Sequence, residues 1–166
     1  VTGVQTCALP ILIKLKKGNE QKVLVKARKD HADHIKTEVK DQCLYLKTTL
    51  DTVASKLLEV IIHTNQLTNL KMEGKSFLSG KVNTPKIRVK IGDESHANLS
   101  GKTEKAEMIC SEEGRIFGDS FEAAYCTVEA SGNATVEVFA TKHLEIEAKD
   151  KSRVIYSGNP KDVDIK

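Results

Sequence analysis

One short apolar pattern returns five times between Leu70 and Tyr156, and it constrains the fold more than any other feature of this 166-residue chain. Leu70-Lys71-Met72, Val89-Lys90-Ile91, Met108-Ile109-Cys110, Cys126-Thr127-Val128 and Leu144-Glu145-Ile146 start 19, 19, 18 and 18 residues apart, each apolar at its first and third positions. A fixed period of this length, with period-2 alternation inside each unit, describes a coil of short strands that cannot bury its apolar face alone and must stack on its neighbours. The expectation is an all-β, parallel β-solenoid with coils about 4.8 Å apart. Its interior columns would be Leu70/Val89/Met108/Cys126/Leu144 and Met72/Ile91/Cys110/Val128/Ile146.

Each coil carries a second strand. Val136 and Val154 fall eight residues after the third position of their units, as Leu99 does after Ile91. Gly118 stands at the equivalent place in the third unit, which predicts a bulge or longer loop around Glu112 to Ser120. Turn residues separate the strands at Gly74, Gly92-Asp93, Glu113-Gly114, Ser131-Gly132 and Asp150.

Upstream, Leu12–Lys17 and Gln21–Ala27 flank the turn signal Gly18-Asn19-Glu20, and Ile35–Lys40 and Cys43–Lys47 flank Asp41-Gln42. Both pairs read as β-hairpins that could cap one end of the stack. Leu50 to Thr64 supports two readings: helical spacing through Leu50, Val53, Leu57 and Ile61, or a turn followed by a strand near Leu57 to His63, favoured by β-branched Val60-Ile61-Ile62.

Residues 1–11 look like the conceptual translation of a sequencing-adapter oligonucleotide and are set aside as non-native. The natural N-terminus, with any signal segment, is then expected to be missing from an assembled fragment. This leaves 12–166 as one domain: an N-terminal β region over 12–64, coils over 65–160 and a tail over 161–166.

With 39% hydrophobic and 30% charged residues the chain can bury a sizeable core. Its 26 basic and 23 acidic residues are interspersed, and its aromatics are four Phe and three Tyr without Trp. That balance lacks the basic stripe and aromatic platforms of a nucleic-acid surface. No apolar run approaches the roughly 18 residues of a membrane-spanning helix.

Outside the first eleven residues the cysteines are Cys43, Cys110 and Cys126, spaced unlike a metal site. Cys110 and Cys126 fall in adjacent repeats and are both expected inside, as small buried side chains or as a disulfide between coils.

The residues from Ala134 through Val136-Glu137-Val138, Leu144-Glu145-Ile146 and Val154-Ile155-Tyr156-Ser157-Gly158-Asn159-Pro160 resemble the end of the putative auto-transporter adhesin head GIN domain, the DUF2807 family. Lys17-Gly18-Asn19-Glu20 to Val25, and Asp41-Gln42-Cys43-Leu44-Tyr45-Leu46, are similar to that family's opening strands. The likeness spans about Leu12 to Lys166. It implies a right-handed β-solenoid in an exported protein of the bacterial cell envelope, periplasmic or on the outer-membrane surface, often from Bacteroidetes. It carries over no catalytic residue.

Asp30-His31-Ala32-Asp33-His34 is the one local cluster of metal-ligating types: Asp30, His31, Asp33 and His34 form either a divalent-metal site or an exposed polar loop. His63, His96 and His143 stand apart from any nucleophile motif. Asp93-Glu94, Glu112-Glu113 and Asp119 lie in successive turns, and Glu129, Glu137, Glu145 and Glu147 on outward positions, where stacking could bring a carboxylate pair within the roughly 5 to 10 Å that glycoside hydrolysis uses. Lys102, Lys105, Lys142, Lys149 and Lys151 alternate with these acids, so a charge-balanced solvated surface is the competing reading. No cofactor fingerprint is present.

The sequence therefore favours a non-enzymatic envelope domain that binds a surface ligand, glycan or protein, with no catalytic or cofactor-binding residues. A pectinase-like enzyme using turn carboxylates and a self-associating structural solenoid are the alternatives.

Overall fold

The computed structural model describes residues 2–8, 11–27, 34–48 and 58–166. Among these residues thirteen strands join in one sheet that winds into a β-solenoid of about five turns. They are β1 (Gly3–Ala8), β2 (Ile11–Lys17), β3 (Lys22–Lys26), β4 (Ile35–Lys40), β5 (Cys43–Thr48), β6 (Leu58–Thr64), β7 (Asn69–Gly74), β8 (Phe77–Ile91), β9 (His96–Cys110), β10 (Arg115–Ala130), β11 (Thr135–Ala148), β12 (Arg153–Gly158) and β13 (Asp162–Ile165). No helix occurs among the described residues.

The four long strands β8 to β11 pair in parallel, and each carries one coil round two bends. Along β8, inward Val82 and Thr84 are followed by two outward residues, Pro85 and Lys86, before Ile87, Val89 and Ile91 point in again. Two consecutive outward residues shift the pleat by one and turn the chain onto the next side. The stacked threonines brace this bend: Thr84 Oγ1 donates to the Lys86 carbonyl at 3.3 Å and Thr103 Oγ1 to the Lys105 carbonyl at 3.1 Å. An earlier bend lies at Gly80-Lys81, Ser100-Gly101 and Asp119-Ser120.

Coils close through stacked turns. Asp93, Glu112 and Asp150 take positive φ of 52°, 59° and 62°, and the amides of Glu94, Glu113 and Lys151 donate to carbonyls of Gly74, Asp93 and Gly132 one coil earlier. Inside these turns Ser95 Oγ donates to the Gly74 carbonyl at 3.1 Å, and Thr6 and Ser76 share a hydrogen bond of 3.1 Å. Among the described residues no buried polar side-chain atom lacks a partner, as a sealed interior requires.

The core runs along the axis, but its columns are not all those the repeat spacing predicts. Leu70 pairs with Val89, Val89 with Met108, Met108 with Val128 and Val128 with Ile146. A parallel column joins Ile87, Ala106, Cys126 and Leu144. The spacing places Cys126 above Met108, and the true register differs by two residues. A register shift between Phe117 and Ser120, inside the predicted bulge, supplies one of these two residues; the other is already present ahead of it, where Phe117 pairs with Asn98. Ahead of that shift, Ile116, not Gly118, is in line with Val136, and Ala97 lies beneath Ile116. Cys110 and Cys126 are consequently not register partners, and both are free thiols.

The N-terminal region also departs from expectation. Asp41 and Gln42, at φ 49° and 60°, join antiparallel β4 and β5 in the expected hairpin. β2 and β3, however, do not pair with each other. β6 lies between them, parallel to β2 and antiparallel to β3. Ile11, Ile13 and Leu15 of β2 are buried, which demands neighbours on both sides, whereas the lysine-rich β3 suits an edge. The strand reading of Leu57 to His63 agrees with β6; residues 49–57 lie outside the described residues.

Two segments left out of the predicted coils belong to them. β1, within residues 1–11, is parallel between β5 and β7 with Val4 and Thr6 buried. β13, within the predicted tail, is parallel to β11, aligning Ile165 with Ile146. At that end Ile155, Tyr156, Val163 and Ile165 are exposed.

Candidate functional site

The first bend of each coil stacks into a groove parallel to the solenoid axis. Its near end is a cavity of about 300 Å³ between the ends of β2 and β6, the 64–67 loop and the bend of β8. Lys16, Lys17, Asn65 and Lys81 form its walls, and buried Leu15, Leu67 and Val82 its floor. A second cavity of about 450 Å³ shares Lys81 and Asn83 with the first and continues past Ser100, Lys102 and Ser120 to half-buried Phe139.

Local structure sets these side chains. Thr64 Oγ1 donates to the Gln66 carbonyl at 3.0 Å and accepts the Gln66 amide at 3.3 Å, closing the turn that carries Asn65. Asn83 Oδ1 accepts the Lys102 amide at 3.1 Å, which fixes the side-chain orientation and leaves Nδ2 as a donor. Lys102 Nζ pairs with Glu122 at 2.9 Å. Gly101, at φ +111°, lets the β9 backbone pass close beneath Val82 and Asn83. The groove thus offers cationic and amide donors along several coils.

The predicted acids divide between two places. Asp93, Glu94, Glu112 and Glu113 line a shallow depression of about 490 Å³ with Gly74 and Lys75. Asp119 lies apart from them, at the groove. Asp93 serves the turn, its Oδ2 accepting the Gly74 amide at 2.6 Å, and Glu94 pairs with Lys75 at 2.9 Å. Glu112 is held above the ordinary carboxylate range, first by a hydrogen bond with the Asp93 carboxyl and then by the negative charge of Asp93.

On the outward strand positions, Lys166 lowers the Glu145 carboxyl through a hydrogen bond, and Lys149 does the same for Glu147. These acids are neutralised in place. Asp30, His31 and Asp33 lie outside the described residues, and His34 is exposed at the turn before β4. Among the described residues no three His, Cys, Asp or Glu side chains gather as a metal site. His63, His96 and His143 belong to three different strands, β6, β9 and β11.

Sequence reading did not bring Lys16, Lys17, Asn65, Lys81 and Asn83 together. Its one local signal was the run Lys16-Lys17-Gly18, where strand alternation gives way to adjacent charges.

The architecture matches known folds. A putative adhesin from Bacteroides fragilis superposes with a TM-score of 0.77 at 14% identity, covering 99% of this chain and 87% of that one. A putative lipid binding protein from Parabacteroides distasonis gives 0.52 at 12% identity over 98% and 88%, and a putative adhesin from Parabacteroides merdae 0.51 at 10% over 99% and 91%. No curated protein sequence matches. The model of the putative auto-transporter adhesin head GIN domain family, DUF2807, matches residues 6–160, and the chain belongs to that family.

Proposed function

We propose that this domain is a non-enzymatic binding module of the bacterial cell envelope, and that it holds a surface glycan along the corner groove. The observation that carries the reading is the continuity of two cavities through Lys81 and Asn83. From β6 through β2, β8, β9 and β10 to β11 the groove crosses five inter-strand steps, roughly 24 Å at about 4.8 Å each. A track of that length lined by amides, hydroxyls and ammonium groups suits an extended polar chain. Family membership and the adhesin neighbours support adhesion and an envelope location. One neighbour is described as a putative lipid binding protein, but here Leu15, Leu67 and Val82 are 6%, 1% and 5% exposed and open no slot for an acyl chain.

The test is retention of the purified domain on immobilised polysaccharides. Binding that drops at least about tenfold when Ser120→Trp fills the second cavity, in a variant that still unfolds cooperatively, supports the reading. Release of new reducing ends from a bound polysaccharide, abolished by Glu112→Gln, would sink it in favour of the enzyme. The alternative of self-association draws on exposed Val163 and Ile165. Sedimentation separates it, because glycan capture by a monomer needs no second copy.

A further inference from the structure

Resting on the groove reading, we infer that the ligand is an acidic polysaccharide, and that Lys16, Lys17 and Lys81 form the subsite for its carboxylate or sulfate groups. Three ammonium groups line the cavity of about 300 Å³ at the near end of the groove, and among the described residues no acidic side chain lines it. None of the three lysines forms an ion pair among the described residues, whereas Lys14 and Lys26 pair with Glu59, Lys75 with Glu94 and Lys102 with Glu122. On a chain of 26 basic and 23 acidic residues, a cavity whose only charged lining residues, among those described, are lysines is a local excess of charge.

The groove is polarised along its length. Lys102 is neutralised by Glu122, and Asp119 adds a second acid at the far end, so positive potential concentrates where Lys16, Lys17 and Lys81 meet. Asn83 adds an oriented donor, its Oδ1 being occupied by the Lys102 amide. Lysine ammonium groups are point charges on flexible stems with three donors each, which accept the varied directions of sugar carboxylates and sulfates without a fixed fork. The apolar floor is almost wholly covered, so the recognised feature is charge on a polar chain rather than an acyl tail.

The full chain would be tested by biolayer interferometry on polygalacturonate, which carries carboxylates, on dextran sulfate and on neutral dextran, with phosphatidylglycerol vesicles as a fourth arm. The expected result is binding to one or both acidic polymers and not to dextran, weakening as salt rises because exposed charge contacts are screened. The Lys16→Gln/Lys81→Gln double variant loses about tenfold or more of that affinity, as removal of charge-assisted hydrogen bonds entails. Lys90→Gln, on an outward position away from the groove, stays within about twofold of the parent. Equal loss in the Lys90 variant would expose non-specific attraction and overturn the subsite. Equal, salt-independent binding of dextran, sensitive to Ser120→Trp, overturns the acidic ligand while leaving the groove reading intact. Capture by vesicles alone, or no binding to any acidic polymer by the folded chain, also overturns it.

Discussion

Burial decides the chemistry of the interior thiols. Cys110 and Cys126 are each 1% exposed, and desolvation pushes both up to about 12. A thiol held protonated neither attacks nor is readily alkylated. Peptide mapping after alkylation of the native protein at neutral pH will therefore find both cysteines unmodified, and both labelled once guanidinium unfolds the chain. His96 shows the opposite side of the same physics. It stands edge-on to Phe77 and Phe117, with ring centroids 6.3 and 6.4 Å away, and partial burial lowers its pKa below the usual 6.5, helped by Arg115 and opposed by Glu94. For a base with a depressed folded pKa, the unfolded chain binds more protons. Its contribution is present above about 6.5 and is lost as pH falls from there through the folded value. Melting curves across that window will show a smaller acid-side loss of Tm in His96→Gln than in the parent; an equal loss would show that His96 is not responsible. Sequence reading left His96 standing apart from any nucleophile motif. Its ring partners come from neighbouring coils, which no local pattern reports.

Among the elements, turns and bends carry more specific demands than the strands between them. Any β-branched or aliphatic residue of about the right volume can occupy an inward strand position, whereas Gly101 has no substitute. A Cβ there would overlap the Val82 carbonyl oxygen and lie 2.9 Å from Asn83 Oδ1, on backbone at φ +111°. Gly101→Ala should lower the unfolding free energy by about 2–3 kcal/mol in a urea titration, a strained backbone and a forced contact acting together. The stacked turns make a milder prediction. Asp150 Oδ2 accepts the Gly132 amide at 3.0 Å, and Asp150→Ala should cost about 1 kcal/mol by the same titration, the net worth of one such bond. Turn positions were legible because Gly, Asn and Asp tolerate positive φ. The bulge was legible too, since Gly118 broke the spacing, but its effect on register was not. The predicted and true registers beyond it differ by two residues, which keeps every side chain on its own face, so the alternation looks the same in either alignment.

For the molecule as a whole, stability is distributed along a stack. β9 and β10 have long parallel partners on both sides, while among the described residues β12 pairs only with β11 and β13 is exposed throughout. Hydrogen exchange should therefore find the slowest amides in β9 and β10 and the fastest among paired strands in β13, as expected when each coil is held by its neighbours. Uniform protection across the coils would contradict that gradient. By itself the sequence determined that the chain coils, roughly how often, where it turns and which side chains point inward. Those properties follow from the pleat and from turn chemistry, both set within a few residues. Only the tertiary structure decided which residues stack in each column, that β6 separates β2 from β3, that Gly3–Ala8 and Asp162–Ile165 join the coils, and that Lys16, Asn65, Asn83 and Ser120 line one groove. Each of these depends on the register between segments far apart in sequence, and register is chosen by packing across coils rather than by any residue's own preference.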